Sequence, residues 1–169
     1  MHHGTMLHLF DTSVAADWVD YNGHMNDAAY AIVFSRSVDA LMDRIGIDAA
    51  TRKAERRTLF TAQAMLHYFA EAREGDALRV SCHLLEHDDK RLRVWLEMTG
   101  GRDGKRLAAS EQLLLSIDGS GAGARVAAWL ARTRAALDAL ARAQGGLARP
   151  AQAGLGIALR RPGSSAQGF

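Results

Sequence analysis

The loop Trp18-Val19-Asp20-Tyr21-Asn22-Gly23-His24-Met25-Asn26 gathers an acid, a histidine, two amides and two aromatic rings. It stands directly before a segment of helical periodicity, and that placement gives the residues a chemical meaning. The first turn of a helix carries N–H groups with no intrahelical partner and the positive end of the dipole, so a substrate carbonyl oxygen lodged there is polarised. A carboxylate a few residues earlier, here Asp20, can attack that carbonyl or take a proton from water. The main-chain N–H groups around Gly23, His24 and Met25 are the candidate oxyanion donors. The same residues also have a plainer explanation: residues 20–23 suit a turn and Asn26 suits a helix cap.

A helix must hold this loop. Asn26 or Asp27 can cap it, and Tyr30, Val33, Phe34, Val38, Leu41, Met42 and Ile45 recur at spacings of three and four. Gly46 suits the position just past its end. Ala31 and Ile32 broaden the apolar stripe, which predicts a helix largely wrapped by other structure. Residues 6–14 carry a weak strand pattern before the loop at 15–25, and a polar stretch at 48–57 follows the helix.

Four segments of strand character come next, at 59–69, 77–87, 91–99 and 106–117. The links between them are short, which permits antiparallel neighbours and forbids helical crossovers. Leu78, Val80, Cys82 and Leu84 share one face of the second, and Leu92, Val94, Leu96 and Met98 one face of the third. The opposite faces carry Arg79, His83, Arg91, Arg93 and Glu97. Such a sheet needs a cover for its apolar face, and the long helix is the only candidate. The expectation is an α+β hotdog fold over residues 6–118, a curved antiparallel sheet wrapped around a long central helix. Residues 119–169 would add a Gly-rich flexible joint at 119–123 and a C-terminal helical extension. Its helix is predicted at 124–143, with Val126, Trp129, Leu130, Leu137 and Leu140 on one side.

With these residues in view, the segment from Val19 to Asn26, with Tyr30 four residues on, resembles the signature of hotdog acyl-CoA thioesterases of the 4-hydroxybenzoyl-CoA thioesterase type. The resemblance implies that Asp20 is the catalytic carboxylate and that Gly23 and His24 lie at the oxyanion site. The broader family usually has a second Asp where this chain has Trp18, which marks a subgroup. Within it the chain resembles the betainyl-CoA thioesterases of carnitine breakdown, including the thioesterase domain fused to some L-carnitine dehydrogenases. That likeness runs over nearly the whole chain after Leu7. It rests on Trp18 to Met25, Glu71-Ala72-Arg73-Glu74-Gly75-Asp76, Lys90-Arg91-Leu92, Ala109-Ser110-Glu111-Gln112-Leu113-Leu114-Leu115 and Leu147-Ala148-Arg149-Pro150. It implies hydrolysis of a small acyl-CoA, betainyl-CoA in the first place, with coenzyme A entering as substrate and no resident cofactor. It also implies a homodimer or homotetramer with sites between subunits, which the exposed edges of a curled sheet favour as well. Two alternatives stand beside it: a non-catalytic acyl-CoA-binding hotdog module, and a thioesterase for another short or aromatic acyl-CoA.

A betainyl group carries a quaternary ammonium, which aromatic faces and carboxylates hold best. Trp18, Tyr21, Tyr30, Tyr68 and Trp95 are the available rings, each with core or interface packing as its plainer use. Asn22 and Asn26 join Trp18, Tyr21 and Tyr30 as candidate substrate contacts from the loop. Glu71 closes a strand beside a charged turn, as a substrate contact or as a solvated turn acid. Glu111 shares the parity of Leu107, Ala109, Leu113, Leu115 and Ile117, where a lone carboxylate is costly unless paired or used. It is either a second acid that orients water or pairs with His67 or Arg73, or is turned to solvent by a bulge. His24 either donates to the substrate carbonyl or bonds the loop.

His67, His83 and His87 lack zinc-ligand spacing with cysteines or acids, so no metal is expected. Cys82 shares the core parity of Val80 and Leu84 and reads as a small buried hydrophobe. With one cysteine, no signal-peptide pattern and no apolar run near the roughly 20 residues a membrane span needs, the expectation is a cytoplasmic protein off the membrane. His2 and His3 receive no function. The net charge of +2 conceals a division. From Ala122 onward there are seven arginines and one acid, Asp138, whereas the preceding residues hold 14 basic and 18 acidic side chains. A tail of that sign could attract the phosphates of coenzyme A. No nucleic-acid motif accompanies it, so no nucleic-acid partner is expected.

Overall fold

The computed structural model describes residues 4–100 and 103–158; His2 and His3, the Gly101-Arg102 portion of one link, and Arg160 and Arg161 of the tail lie outside them. Helix α1 spans Asp27–Arg44. Its cap is Asn26, whose side chain accepts the Ala29 N–H at 3.0 Å. Gly46, at φ +81°, takes the left-handed turn beyond its end that a residue with a Cβ adopts only under strain. The buried stripe includes Tyr30, Val33, Phe34, Val38, Leu41 and Met42. The helix is less wrapped than predicted: Ala31 is exposed and Ile32 is 43% exposed, because within one chain the sheet closes over one side of α1 only.

Strands β1 (Leu7–Ser13), β2 (Arg57–Tyr68), β3 (Ala77–His87), β4 (Arg91–Gly100) and β5 (Lys105–Asp118) form one antiparallel sheet in the order β1-β3-β4-β5-β2. Leu78, Val80, Cys82 and Leu84 of β3 and Leu92, Val94, Leu96 and Met98 of β4 are buried with α1 in one core, as their alternation predicts. The polar stretch after α1 contains a short helix, α2 (Ala49–Glu55), which buries no residue. Asp48 caps it by accepting the Thr51 N–H at 2.8 Å. With no apolar periodicity to betray it, only that cap marked it in the sequence.

On β5 the face carrying Leu113 and Leu115 is not the core face. Val94 pairs with Gln112 and Leu96 with Ser110, so Ser110, Gln112 and Leu114 face α1. Trp95 pairs with Glu111 and Arg93 with Leu113, which places those residues on the outer face. A register shift between Met98 and Thr99 leaves Leu107 out of the pairing, and Leu107 and Ala108 are both buried in the core.

The end of the chain covers part of the outer face, where Leu155 lies beside Leu113 and Glu111. Residues 124–130 are not helical as predicted: β6 (Arg125–Val126) pairs with β5, and Val126 is 43% exposed. The Trp129 N–H donates to Asp89 O and its indole N–H to Asp88 O, both bonds holding the chain extended. Helix α3 therefore begins later, at Ala131–Gln144. Leu137 is fully buried in the same core as α1, so this part is no loose extension. Where β1 stops pairing, the Gln144 side chain substitutes for a strand. Its amide accepts the Leu84 N–H and donates to Cys82 O, each at 2.8 Å. Beyond α3 the chain crosses the back of the sheet. Leu147 and Arg149 lie beside His83 and Glu86, and the residues from Gly154 to Gly156 beside Met65, Arg93 and Glu111.

Candidate active site

The loop before α1 is a tight turn held by its own backbone. Asp20 N–H donates to His24 O (2.9 Å), Gly23 N–H to Asp20 O (3.0 Å), and Asn26 N–H to Trp18 O (2.8 Å). Gly23 sits at φ +78°, which this reversal requires. One carboxylate oxygen of Asp20, Oδ1, receives the Asn22 N–H at 2.8 Å and a long contact from the His24 N–H at 3.4 Å. Oδ2 takes no hydrogen bond among the described residues. The carboxylate is thus oriented through one oxygen and open at the other.

The second wall of the site is the segment after β2. Met25 N–H donates to Ala72 O at 2.8 Å, joining the loop to residues 70–76. This brings Glu71 to the loop: His24 Nε2 lies 3.1 Å from Glu71 Oε2. Tyr30 is buried, with its hydroxyl 3.4 Å from Ala70 O, and meets Tyr68 edge to face at a centroid distance of 5.3 Å. The Tyr68 hydroxyl donates to Asp27 O at the start of α1. Burial pushes both phenols above their usual range, so both stay neutral donors.

Of the expected oxyanion donors, the Gly23 and Met25 N–H groups are engaged inside the loop and between the two walls. The His24 N–H, with only its long contact to Asp20, and the Asp27 N–H at the start of α1 remain; the Ala28 and Ala29 N–H groups are taken by the side chains of Asp27 and Asn26. Asn26 serves as the helix cap, and its Nδ2 donates to Trp18 O at 2.7 Å. Trp18 is buried in the core with the Arg36 guanidinium 5.3 Å from its ring centre. Tyr21 stands 97% exposed and Asn22 is exposed. Trp95 and Glu111 are not brought to Asp20; the sheet lies between. Trp95 is fully buried on the outer face against His67, at 5.3 Å. Glu111 is neither a second acid of the site nor turned to solvent: it pairs with Arg93 (3.3 Å) and accepts the Gly154 N–H (2.8 Å). The cleft it lines, about 410 Å³, belongs to the back of the sheet.

Burial pushes the Cys82 thiol up to about 12, which makes it no nucleophile. Among the described residues no group of three or more His, Cys, Asp or Glu side chains is placed to hold a metal ion. No described helix is long and apolar enough to cross a membrane.

A sheet curled around a capped helix is the α+β hotdog fold, here with a carboxylate loop at that helix's N-terminus. Residues 14–141 match the model of the Thioesterase-like superfamily, and the chain belongs to that family. The chain is 40% identical over 156 residues to a betainyl-CoA thioesterase of Pseudomonas aeruginosa, covering 91% of this chain and 96% of the relative. It is 37% identical over 112 residues to an L-carnitine dehydrogenase/betainyl-CoA thioesterase of Rhizobium meliloti, 66% of this chain but 22% of that longer protein. A hypothetical protein of Staphylococcus aureus, solved in complex with CoA, superposes with a TM-score of 0.84 at 26% identity, covering 95% of this chain and 99% of the other. The protein is an acyl-CoA thioesterase, which sets aside the non-catalytic binding module.

Proposed function

We propose that this thioesterase hydrolyses betainyl-CoA to betaine and CoA, with Asp20 as its catalytic carboxylate. The observation that carries the substrate is the 40% identity to a betainyl-CoA thioesterase across nearly the full length of both chains. The site is compatible with a cationic acyl group, since Glu71 lies near Tyr30 and Asp27 near Tyr68. Asp20, held through Oδ1, presents Oδ2 to the thioester carbon or to a water beside it. The His24 N–H and the N-terminus of α1 face the carbonyl oxygen as negative charge develops there. Coenzyme A enters as substrate, and the chemistry asks for no resident cofactor.

The working unit in this proposal is at least a homodimer. Strand β2 is a 12-residue sheet edge, with Phe60 49% and Tyr68 42% exposed, and Tyr21 projects from the loop into solvent. A second copy on that edge would cover these groups and enclose the site. A reducing cytoplasm suits a chain whose single cysteine is buried. Thiol release from a panel of CoA esters tests the substrate. Betainyl-CoA should give the highest kcat/KM against acetyl-, butyryl- and benzoyl-CoA, and a preference for any of these overturns the assignment. Sedimentation at micromolar concentration should give a dimer or larger, and a monomer would count against the enclosed site.

A further inference from the structure

Cleavage of a thioester must deal with a leaving sulfur as well as an attacked carbon. Asp20 serves the attack. Nothing assigned so far supplies a proton to the thiolate as the C–S bond breaks. We propose that His24 is the general acid for the departing CoA sulfur and that Glu71 is its positioning residue; this rests on the reading of Asp20 as the catalytic carboxylate.

The geometry behind this is built by the backbone. His24 O receives the Asp20 N–H at 2.9 Å, so its main chain is part of the same turn that orients Asp20. Glu71 comes from a different part of the chain, and the bond from Met25 N–H to Ala72 O, one residue beyond each partner, fixes the two strands of the site side by side. Tyr30, reaching from α1 to Ala70 O, adds a second tie. The two side chains meet at 3.1 Å as a result. Stability does not account for the pair: Glu71 is 69% exposed and His24 26%, and a pair so open to water adds little to folding.

A carboxylate on one imidazole nitrogen fixes the ring and leaves the other nitrogen to exchange protons. Glu71 holds Nε2, and Nδ1 makes no hydrogen bond among the described residues. The step balances as follows. Attack forms a C–O bond, either from water, whose proton passes to Asp20, or from Asp20 itself. The tetrahedral intermediate collapses, the C–S electron pair leaves on sulfur, and the sulfur takes the proton from Nδ1 of the imidazolium. The proton held by Asp20, or released by the water that hydrolyses the acyl-Asp20 anhydride, restores the imidazolium. One water is consumed, and one acid and one thiol are formed.

The test varies the leaving group. Betainyl thioesters of N-acetylcysteamine and of thiophenol share an acyl group, but only the alkyl thiolate is basic enough to need a proton as it leaves. In the full-length protein, Glu71→Gln and His24→Gln should lower kcat on the alkyl thioester about a hundredfold, within the usual range for a general acid. On the thiophenyl ester the loss in kcat should be less than about threefold, with the melting curve unchanged. Asp20→Asn should lose turnover on both. Equal loss on both esters, or none on the alkyl ester, with Asp20→Asn inactive, overturns the His24–Glu71 assignment and leaves that of Asp20 standing. Full activity of Asp20→Asn overturns both.

Discussion

Two regions of the molecule use charge in opposite ways. At the N-terminus of α1 the carboxylates of Asp20 and Glu71 meet backbone N–H groups and a histidine, and each keeps an oxygen or a face toward solvent. In the C-terminal segment the charges are matched to the body instead. Arg125 pairs with Asp118 (2.7 Å), Arg132 with Glu55 (2.5 Å) and Arg134 with Asp89 (2.6 Å). The surplus of arginines that suggested an attractor for the phosphates of CoA is, for these residues, a fastening between the C-terminal segment and the acidic body. Charge totals along a sequence do not distinguish a free field from a set of internal pairs.

The comparison can be broken at several points. Asp20→Asn should cost at least about a hundredfold in kcat, the scale of a lost acid–base group, with an unchanged melting curve. Leu137→Ala on α3 should do the reverse. It removes a fully buried side chain from the shared core, so chemical denaturation should show a loss of about 2–5 kcal/mol with the kcat of the folded fraction preserved. If Leu137→Ala leaves stability intact, α3 is not part of the core.

Gln144→Ala should cost about 1–3 kcal/mol by the same measurement, because it leaves the Leu84 N–H and Cys82 C=O buried without partners. The back of the sheet should also respond to acid. Burial first, and then the nearby Arg149, hold His83 below its usual value, and burial does the same for His67. Each is neutral when folded and takes up a proton on unfolding. Their contribution is therefore complete above the ordinary histidine value, roughly 6.5, and is lost as pH falls from there toward the lower folded value. Stability measured across that range should fall with acid, and less so in His83→Gln. Smallest of all should be Arg134→Ala. Its partner Asp89 is 81% exposed, so the loss should stay under about 1 kcal/mol and shrink further in high salt.

Much of the scaffold was legible because its signals are local. Asn26 caps α1, Gly46 ends it, and the alternation on β3 and β4 names the core face. The loop residues could be singled out too, since their density before a helix start is a sequence property. The partners were not legible. Glu71 read as a substrate contact or a solvated turn acid because nothing in its neighbourhood points to His24, which is reached through a bond between Met25 and Ala72. Trp95 and Glu111 read as site candidates because the sequence gives no hint that Trp95 packs against His67 or that the chain's own end reaches Glu111.

By itself, then, the sequence determined the elements, the caps and the place of a reactive loop, since these depend on neighbours a few residues apart. It could not decide which face of β5 is inner. The inner face carries Ser110 and Gln112 and the outer face Leu113 and Leu115, so hydrophobic alternation points to the wrong side. Nor could it decide where α3 begins, because β6 and the Trp129 bonds outweigh the helical preference of an Ala- and Arg-rich segment. These were settled only in the tertiary structure, where residues distant in the chain compete for the same buried surface.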